Sequence, residues 1–310
     1  MRSRIIRLLA LAAGLTALWI AGVLGLNSSV YSAARVVVDY VDAVESGDYE
    51  TALSIAGISD APTALPAAGS SVSGSTITGT QTLSPDQTAV GVSYLVDRDP
   101  AQSRFDLQRG PRIAGLFNSW GFVTPPTALI RVDGGGAATV LINDAEVPSG
   151  STATVLVPGV YKMSAGNQWL HSDVTRVVAT APGDEVNVAL LLQPTDALIN
   201  EVTVAFDEYL QECSSRNILQ PASCPFGTTV NDRVVGAPSW TITVLPSISV
   251  TATDDLSVAT VTGSGGVATV TGTIQSLFDG TLRPLNRDVV FDLTAEVTGL
   301  DRDSPALRID

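Results

Sequence analysis

Side chains able to do chemistry are sparse in this 310-residue chain, which holds one histidine, His171, and two cysteines, Cys213 and Cys224. A Ser-His-Asp relay needs its histidine beside a presented nucleophile. His171 instead follows Trp169-Leu170 in a polar stretch, and no Gly-x-Ser-x-Gly elbow occurs, so a solvated loop residue is expected there. The even cysteine count predicts a disulfide in an exported chain, where oxidising conditions let it persist. Closing a loop of about 12 residues would stabilise the fold by about 3 kcal/mol. Free or metal-bound thiols are the alternative, but a metal would need further soft ligands, and His171 lies far from both cysteines in sequence. Gly263-Ser264-Gly265-Gly266-Val267-Ala268 matches Gly-x-Gly-x-x-Ala. Dinucleotide binding requires a strand before that motif and a helix after it. Strand-type residues flank both sides here, so a hairpin turn is expected. The acidic groups Asp97-Arg98-Asp99, Asp254-Asp255 and Asp301-Arg302-Asp303 could offer carboxylates to calcium, yet none has the Asp-x-Asp-x-Asp-Gly loop, and they read as solvated turns. No catalytic, cofactor-binding or metal-ligating residue is nominated, and no cofactor is expected.

The segments that would position any site begin with Arg2, Arg4 and Arg7, followed by an uninterrupted apolar run from Leu8 to Leu26 and then Asn27-Ser28-Ser29. At about 1.5 Å per residue the run spans roughly 28 Å, close to the hydrocarbon thickness of a bilayer. The arginines place the N-terminus in the cytoplasm, so residues 1–29 are read as cytoplasmic tip and single-pass anchor, spanning at 8–26, with everything after them extracellular. A cleaved signal peptide is the alternative, with Ser32-Ala33-Ala34 as cleavage site. Its apolar region would normally run about 7–15 residues. No cysteine follows the run to accept a lipid.

The formal net charge of −14 becomes −17 once the three N-terminal arginines are set aside. Such an acidic surface disfavours nucleic acid and anionic leaflets, both of which need lysine and arginine to meet phosphates. The single lysine, Lys162, among many arginines, with abundant Ala, Val, Gly and Thr, is the bias of high-GC bacterial coding.

In the exported part, Val30, Ala34, Val37, Val41 and Val44 recur at helical spacing over Val30 to Ser46. Gly47 is placed to stop that helix, Asp48 to cap a second through Ala56, and Gly57 to end it. Strand patterns follow over Ser71 to Thr80, Gln87 to Val96, Ser103 to Gln108 and Leu116 to Val123, up to a boundary at Pro125-Pro126. Short strands alternate with turns from Ala128 to Gln193, predicting a small β-sandwich over 125–194. Thr195 or Asp196 then caps a helix whose apolar face includes Leu198, Val202, Phe206, Leu210 and Cys213. Strands follow over Trp240 to Val250, Leu256 to Thr262, Val267 to Gln275 and Arg287 to Thr298. The expected fold class is α+β and β-rich. Two helix-plus-antiparallel-sheet units, at 30–124 and at 195–310 with the disulfide, flank the sandwich.

Tyr40-Val41-Asp42-Ala43-Val44-Glu45-Ser46-Gly47-Asp48-Tyr49-Glu50-Thr51-Ala52 resembles the first helix and Gly-Asp turn of the nuclear-transport-factor-like, ketosteroid-isomerase-like superfamily, and Trp120 fits a tryptophan of its terminal strands. Leu156-Val157-Pro158-Gly159-Val160-Tyr161, with the apolar end Val188-Ala189-Leu190-Leu191-Leu192, resembles the PEGA surface module, although the Pro-Glu-Gly-Ala signature itself is missing. The layout resembles the exported part of Gram-positive, actinobacterial-type membrane proteins linked to glycopeptide response. It departs from them in having no cysteine before Cys213 and hence no N-terminal zinc ribbon. These likenesses imply surface display. Some members of the superfamily do acid-base catalysis inside a cone. Ser75, Thr76, Thr78, Ser93, Tyr94 and Asp106 are what the first unit offers there, and they form no recognisable set. The expected function is a non-catalytic binding or scaffold protein of the cell envelope. Its expected partners are the membrane, through residues 8–26, and an envelope component or membrane protein, with no nucleic acid. Alternatives are small-ligand binding in a cone, or an enzyme whose site is unrecognised.

Overall fold

The computed structural model describes residues 2–66, 72–96, 98–253, 257–302 and 305–309, with side chains from Leu11 onward. The chain is α+β, with helices laid on mainly antiparallel sheets. It groups into two compact units: Met1–Asp133, Thr139–Ser164 and Val174–Ala189 form the first, and Gly134–Ala138, Ala165–Asp173 and Leu190–Asp310 the second. The stretch 125–194 contributes residues to both.

The first unit opens with α1 (Arg2–Ser28), whose Leu11–Ser28 portion has mean hydropathy 1.5 and is unburied, long and apolar enough to cross a membrane. α2 (Ala33–Ser46) starts three residues later than the apolar pattern suggests, because the Ser32 hydroxyl caps it by accepting from the Arg35 amide at 3.2 Å. Val30 is therefore exposed, and the buried stripe is Val37, Tyr40, Val41 and Val44, at i, i+3, i+4 and i+7. Gly47 and Gly57 end α2 and α3 (Tyr49–Ala56) in the left-handed conformation, and Asp48 caps α3 through the Thr51 amide and hydroxyl.

β1 (Val72–Ser84), β2 (Gln87–Val96), β3 (Asp99–Arg109) and β4 (Trp120–Phe122) form an antiparallel meander. Alternation puts Val90, Val92, Tyr94 and Val96 of β2 on one face with Ser103, Phe105 and Leu107 of β3, and α2 covers that face. The fourth strand, expected from Leu116, is only three residues long. Residues 110–119 instead form a side hairpin in which Ile113 bridges Phe117. Ala114 (φ 50°) and Gly115 (φ 72°), both left-handed, are the central residues of the turn closed by the Leu116 amide on Ile113 O at 3.1 Å.

β5 (Thr127–Asp133), β6 (Thr139–Ile142), β7 (Ala145–Pro148), β8 (Thr152–Leu156), β9 (Gly159–Ser164), β10 (Leu170–Ser172), β11 (Thr175–Ala179), β12 (Glu185–Ala189) and β13 (Leu192–Pro194) follow. The first unit contains the sheets β11-β9-β6-β7 and β12-β5-β8, in which β12 runs parallel to β5. β10 and β13 pair as a ribbon in the second unit. Among the bonds that join the α2–α3 and β1–β4 part of the first unit to these strands are Thr63 N to Thr154 O at 2.9 Å, the Ser103 hydroxyl to Thr180 O, and the Tyr40 hydroxyl to Val157 O at 2.7 Å.

The second unit is built on α4 (Asp196–Ser214), capped by the Thr195 hydroxyl, with Leu198, Val202, Phe206, Leu210 and Cys213 buried. It covers a sheet of β14 (Arg233–Val244), β15 (Ser247–Ala252), β16 (Val258–Gln275), β17 (Leu282–Thr298) and β18 (Ala306–Ile309). The strand expected over Trp240 to Val250 is two strands, broken at Leu245-Pro246. The turn expected at Gly263–Gly266 is instead a β-bulge inside the continuous β16. At this point β16 exchanges one neighbour for the next, pairing with β15 up to Ser264 and with β14 from Val267. A Cβ on Gly266 would lie 2.5 Å from the Phe291 ring, so a glycine fits there because an aromatic ring occupies the space. β18 covers β17 only along Ala295–Thr298. Among the described residues no strand pairs with Leu282–Thr294 on the side away from β16.

Candidate functional site

The interior of the first α+β part is filled. Tyr40, Phe105 and Phe122 meet edge to face with centroids 5.3 to 6.0 Å apart, and Leu107 and Val90 are fully buried with them. Burial pushes the Tyr40, Tyr94 and Tyr161 phenols above their ordinary value. They stay protonated and donate hydrogen bonds, Tyr161 to Leu156 O at 2.9 Å, while Tyr94 shares one with the Ser103 hydroxyl at 2.7 Å. The polar residues singled out in the sequence do not converge. Tyr94 is buried, whereas Ser93 is bound to the Thr76 carbonyl in an exposed position. Asp106 turns to the outer face and pairs with Arg104 at 3.1 Å, and the Ser75 amide donates to the Glu45 carboxylate.

His171 lies exposed on β10, opposite Gln193. Cys213 and Cys224 form a disulfide that pins the loop after α4, bringing Phe226 into the core against Trp240 and Phe291. Of the acidic groups, Asp97, Asp254, Asp255 and Asp303 lie outside the described residues. Among those described, no three His, Cys, Asp or Glu side chains gather as metal ligands. Among the described residues the larger clefts open to solvent. One of about 400 Å³ lies on the outer face of β1–β3 over Gly79, Gly91 and Arg104. Another of about 530 Å³ lies beside Cys224, Tyr209 and Asp292.

The end of α1 is bonded to the first unit. The Asn27 side chain reaches the 110–119 hairpin in both directions: its Nδ2 donates to Leu116 O at 3.1 Å, and its Oδ1 accepts from the Asn118 amide at 2.7 Å. The Tyr31 ring stacks on Phe117 with centroids 4.5 Å apart, and the Trp120 indole donates to Tyr31 O at 3.1 Å. Arg109 lies over the Trp120 ring at 5.0 Å. The sequence gives no sign of this joint, because Asn27 reads as the polar stop of an apolar run and its partners lie about 90 residues away.

No family model matches the sequence, and no curated protein matches it. A solved structure described as "Ntf2 like protein involved in plasmid conjugation" aligns over 78% of this chain and 77% of its own, at 9% identity and TM-score 0.15. A likeness that slight carries no argument about what the protein does.

Proposed function

We propose that this chain is a membrane-anchored, extracytoplasmic binding or scaffold protein of the bacterial cell envelope, held by an uncleaved helix and without catalytic activity of its own. The observation that supports it is the joint between α1 and the first unit. Cleavage at Ser32-Ala33-Ala34 would remove Asn27, Tyr31 and the Ser32 cap of α2, and would uncover Phe117 and Trp120. A segment destined for removal has no need of such contacts, whereas a retained anchor gains a fixed seat. The disulfide fits an oxidising compartment. The filled interior of the first α+β part disfavours the cone-ligand alternative, since pockets for small molecules are normally preformed cavities.

The test is the fate of the full-length chain in a bacterial host. Retention in the membrane after alkaline carbonate, an intact N-terminus by mass, and degradation of the C-terminal units by protease added outside spheroplasts are the expected results. A shortened protein free in the medium would refute the anchor. Thermal unfolding of the purified full chain against cell-wall fragments, hydrophobic metabolites and calcium then separates the binding readings. A ligand at a hundred times its Kd stabilises by about 2.7 kcal/mol. A saturable shift with wall fragments supports the envelope reading, and one with a hydrophobic metabolite supports the alternative.

A further inference from the structure

The 110–119 hairpin leaves the first sheet after β3 and returns into β4, and its own bonds hold it firmly. The Gly110 amide donates to Ser119 O at 2.9 Å, the Ser119 hydroxyl to Pro111 O at 2.6 Å and the Ile113 amide to Phe117 O at 2.8 Å. It displays a surface unlike that of an acidic protein. Arg112 and Ala114 are exposed, Ile113 is 49% exposed and Leu116 is half-buried. Arg109 is half-buried, with its Nε lacking any hydrogen-bond partner. Among the described residues neither Arg109 nor Arg112 forms an ion pair, whereas Arg35, Arg104, Arg216 and Arg283 each hold a carboxylate. Asp86, whose carbonyl accepts from the Arg109 amide at 2.8 Å, brings one acidic side chain to this end of the sheet.

We propose that this hairpin is a second membrane contact, seated in the lipid headgroup layer beside the point where α1 leaves the bilayer. Ile113 and Leu116 meet the acyl boundary, and Arg112 and Arg109 meet lipid phosphate. The inference rests on the reading of α1 as a membrane span. Continuity with that span selects lipid as the occupant. Asn27 is the first polar residue after the apolar run, so it marks the hydrocarbon edge, and Leu116 is hydrogen-bonded to it. Ile113 is joined to Leu116 through one tight turn, which keeps their Cα atoms within about 7 Å. The headgroup layer on each side of a bilayer is itself roughly 5–8 Å thick. Tyr31 and Trp120 beside the hairpin are residue types that membrane interfaces favour. An arginine lying along an aromatic face can keep its stem in apolar surroundings while its head reaches phosphate.

The test uses the full-length chain. Its two cysteines are bonded to each other, so an introduced cysteine is the single reactive thiol. Leu18→Cys, Ile113→Cys and Asp99→Cys variants, each carrying an NBD label, are reconstituted into phosphatidylcholine vesicles with and without phosphatidylglycerol, and quenched by lipids spin-labelled at the headgroup or along the chain. Position 18 is expected to be quenched by the chain-labelled lipid and position 113 by the shallow one. Position 99 should be unquenched, because it stands at the far end of β3 from Arg109, about 33 Å away at the strand rise. Quenching at 18 without quenching at 113 overturns the hairpin contact and leaves the anchor standing. Absence of quenching at 18 overturns the anchor and the inference with it. Adding Arg112→Glu to the chain labelled at 113 should weaken the shallow quenching, most in the vesicles with phosphatidylglycerol. Unchanged quenching there would refute the role given to the arginine.

Discussion

Tyr40→Phe removes one oxygen and leaves the packing of the ring in place. Tyr40 is fully buried, and its edge-to-face contacts with Phe105 and Phe122 need no hydroxyl. The loss is therefore confined to two hydrogen bonds, to Val157 O at 2.7 Å and Pro126 O at 3.2 Å. Pro126 O keeps a second donor, the Val157 amide at 2.9 Å. Val157 O has no other donor among the described residues. One orphaned buried carbonyl costs about 1–3 kcal/mol. At about 2 kcal/mol, and with roughly 2–4 °C of Tm per kcal/mol in a unit of this size, the transition of the first unit should fall by roughly 4–8 °C. Scanning calorimetry of the full chain in detergent, with the disulfide intact, is the assay. Tyr40→Leu should cost more, since it also removes the aromatic contacts. An unchanged transition for Tyr40→Phe alongside a large fall for Tyr40→Leu would refute the hydroxyl as the tie between α2 and the sandwich strands.

The same buried phenols set an alkaline limit. Tyrosine in an unfolded chain ionises near pH 10, while burial holds the protons on Tyr40, Tyr94 and Tyr161 beyond that point. The folded state then binds more protons than the unfolded one, so stability falls as pH rises above about 10, by up to about 1.4 kcal/mol per pH unit for each tyrosine, and these groups contribute no slope below about pH 9. A late phase of tyrosinate absorbance should coincide with loss of the circular dichroism of the fold. Complete ionisation with the fold intact would contradict it. Replacing Cys213 and Cys224 together by Ser should destabilise the second unit by about 3 kcal/mol, matched by reductant on the parent chain. Equal unfolding with and without reductant would count against the staple. Gly266→Ala should cost about 1–3 kcal/mol in the same transition, and Phe291→Leu should relieve part of it, because the two side chains claim one volume. Strict additivity of the two would show that they do not.

The local signals in the sequence located the helices well, because their caps act over three or four residues: Asp48, Gly57 and Thr195 stand where their chemistry predicts. The β elements were legible where alternation was undisturbed, as in β2, whereas β3 begins at Asp99, four residues before the expected Ser103, because Asp99 to Gln102 pair with the end of β2. What escaped were features decided by a distant partner. Gly263–Gly266 has the composition of a turn, and only the ring of Phe291 and the change of neighbour from β15 to β14 make it a bulge. Pro246 ends a strand pattern that its apolar neighbours would continue. The parallel pairing of β12 with β5 leaves no mark in either strand. Phe226, in a loop rich in Pro, Ser and Thr, has no periodic companions to reveal it as core, although the disulfide beside it fixes where it must go. The joint at Asn27 escaped for the same reason.

The uncovered run of β17 bears on how the protein behaves in a crowded medium. A bare strand edge of this length invites another chain to add itself, first one copy and then a fibre. Along it stand Arg283, Arg287, Asp288 and Asp292, together with Pro284, which has no amide hydrogen to give. Arg283 is tied to Asp232 and Arg287 to Thr228 and Thr229, so these charges are held beside the edge. A parallel copy laid against it in register would set like charges together, while an antiparallel copy could set Arg283 against Asp292, a pairing that the tie of Arg283 to Asp232 opposes. Replacing Pro284 and cutting the ties of Arg283 and Arg287 should therefore yield molecules that fold about as firmly as before and adhere to one another more readily.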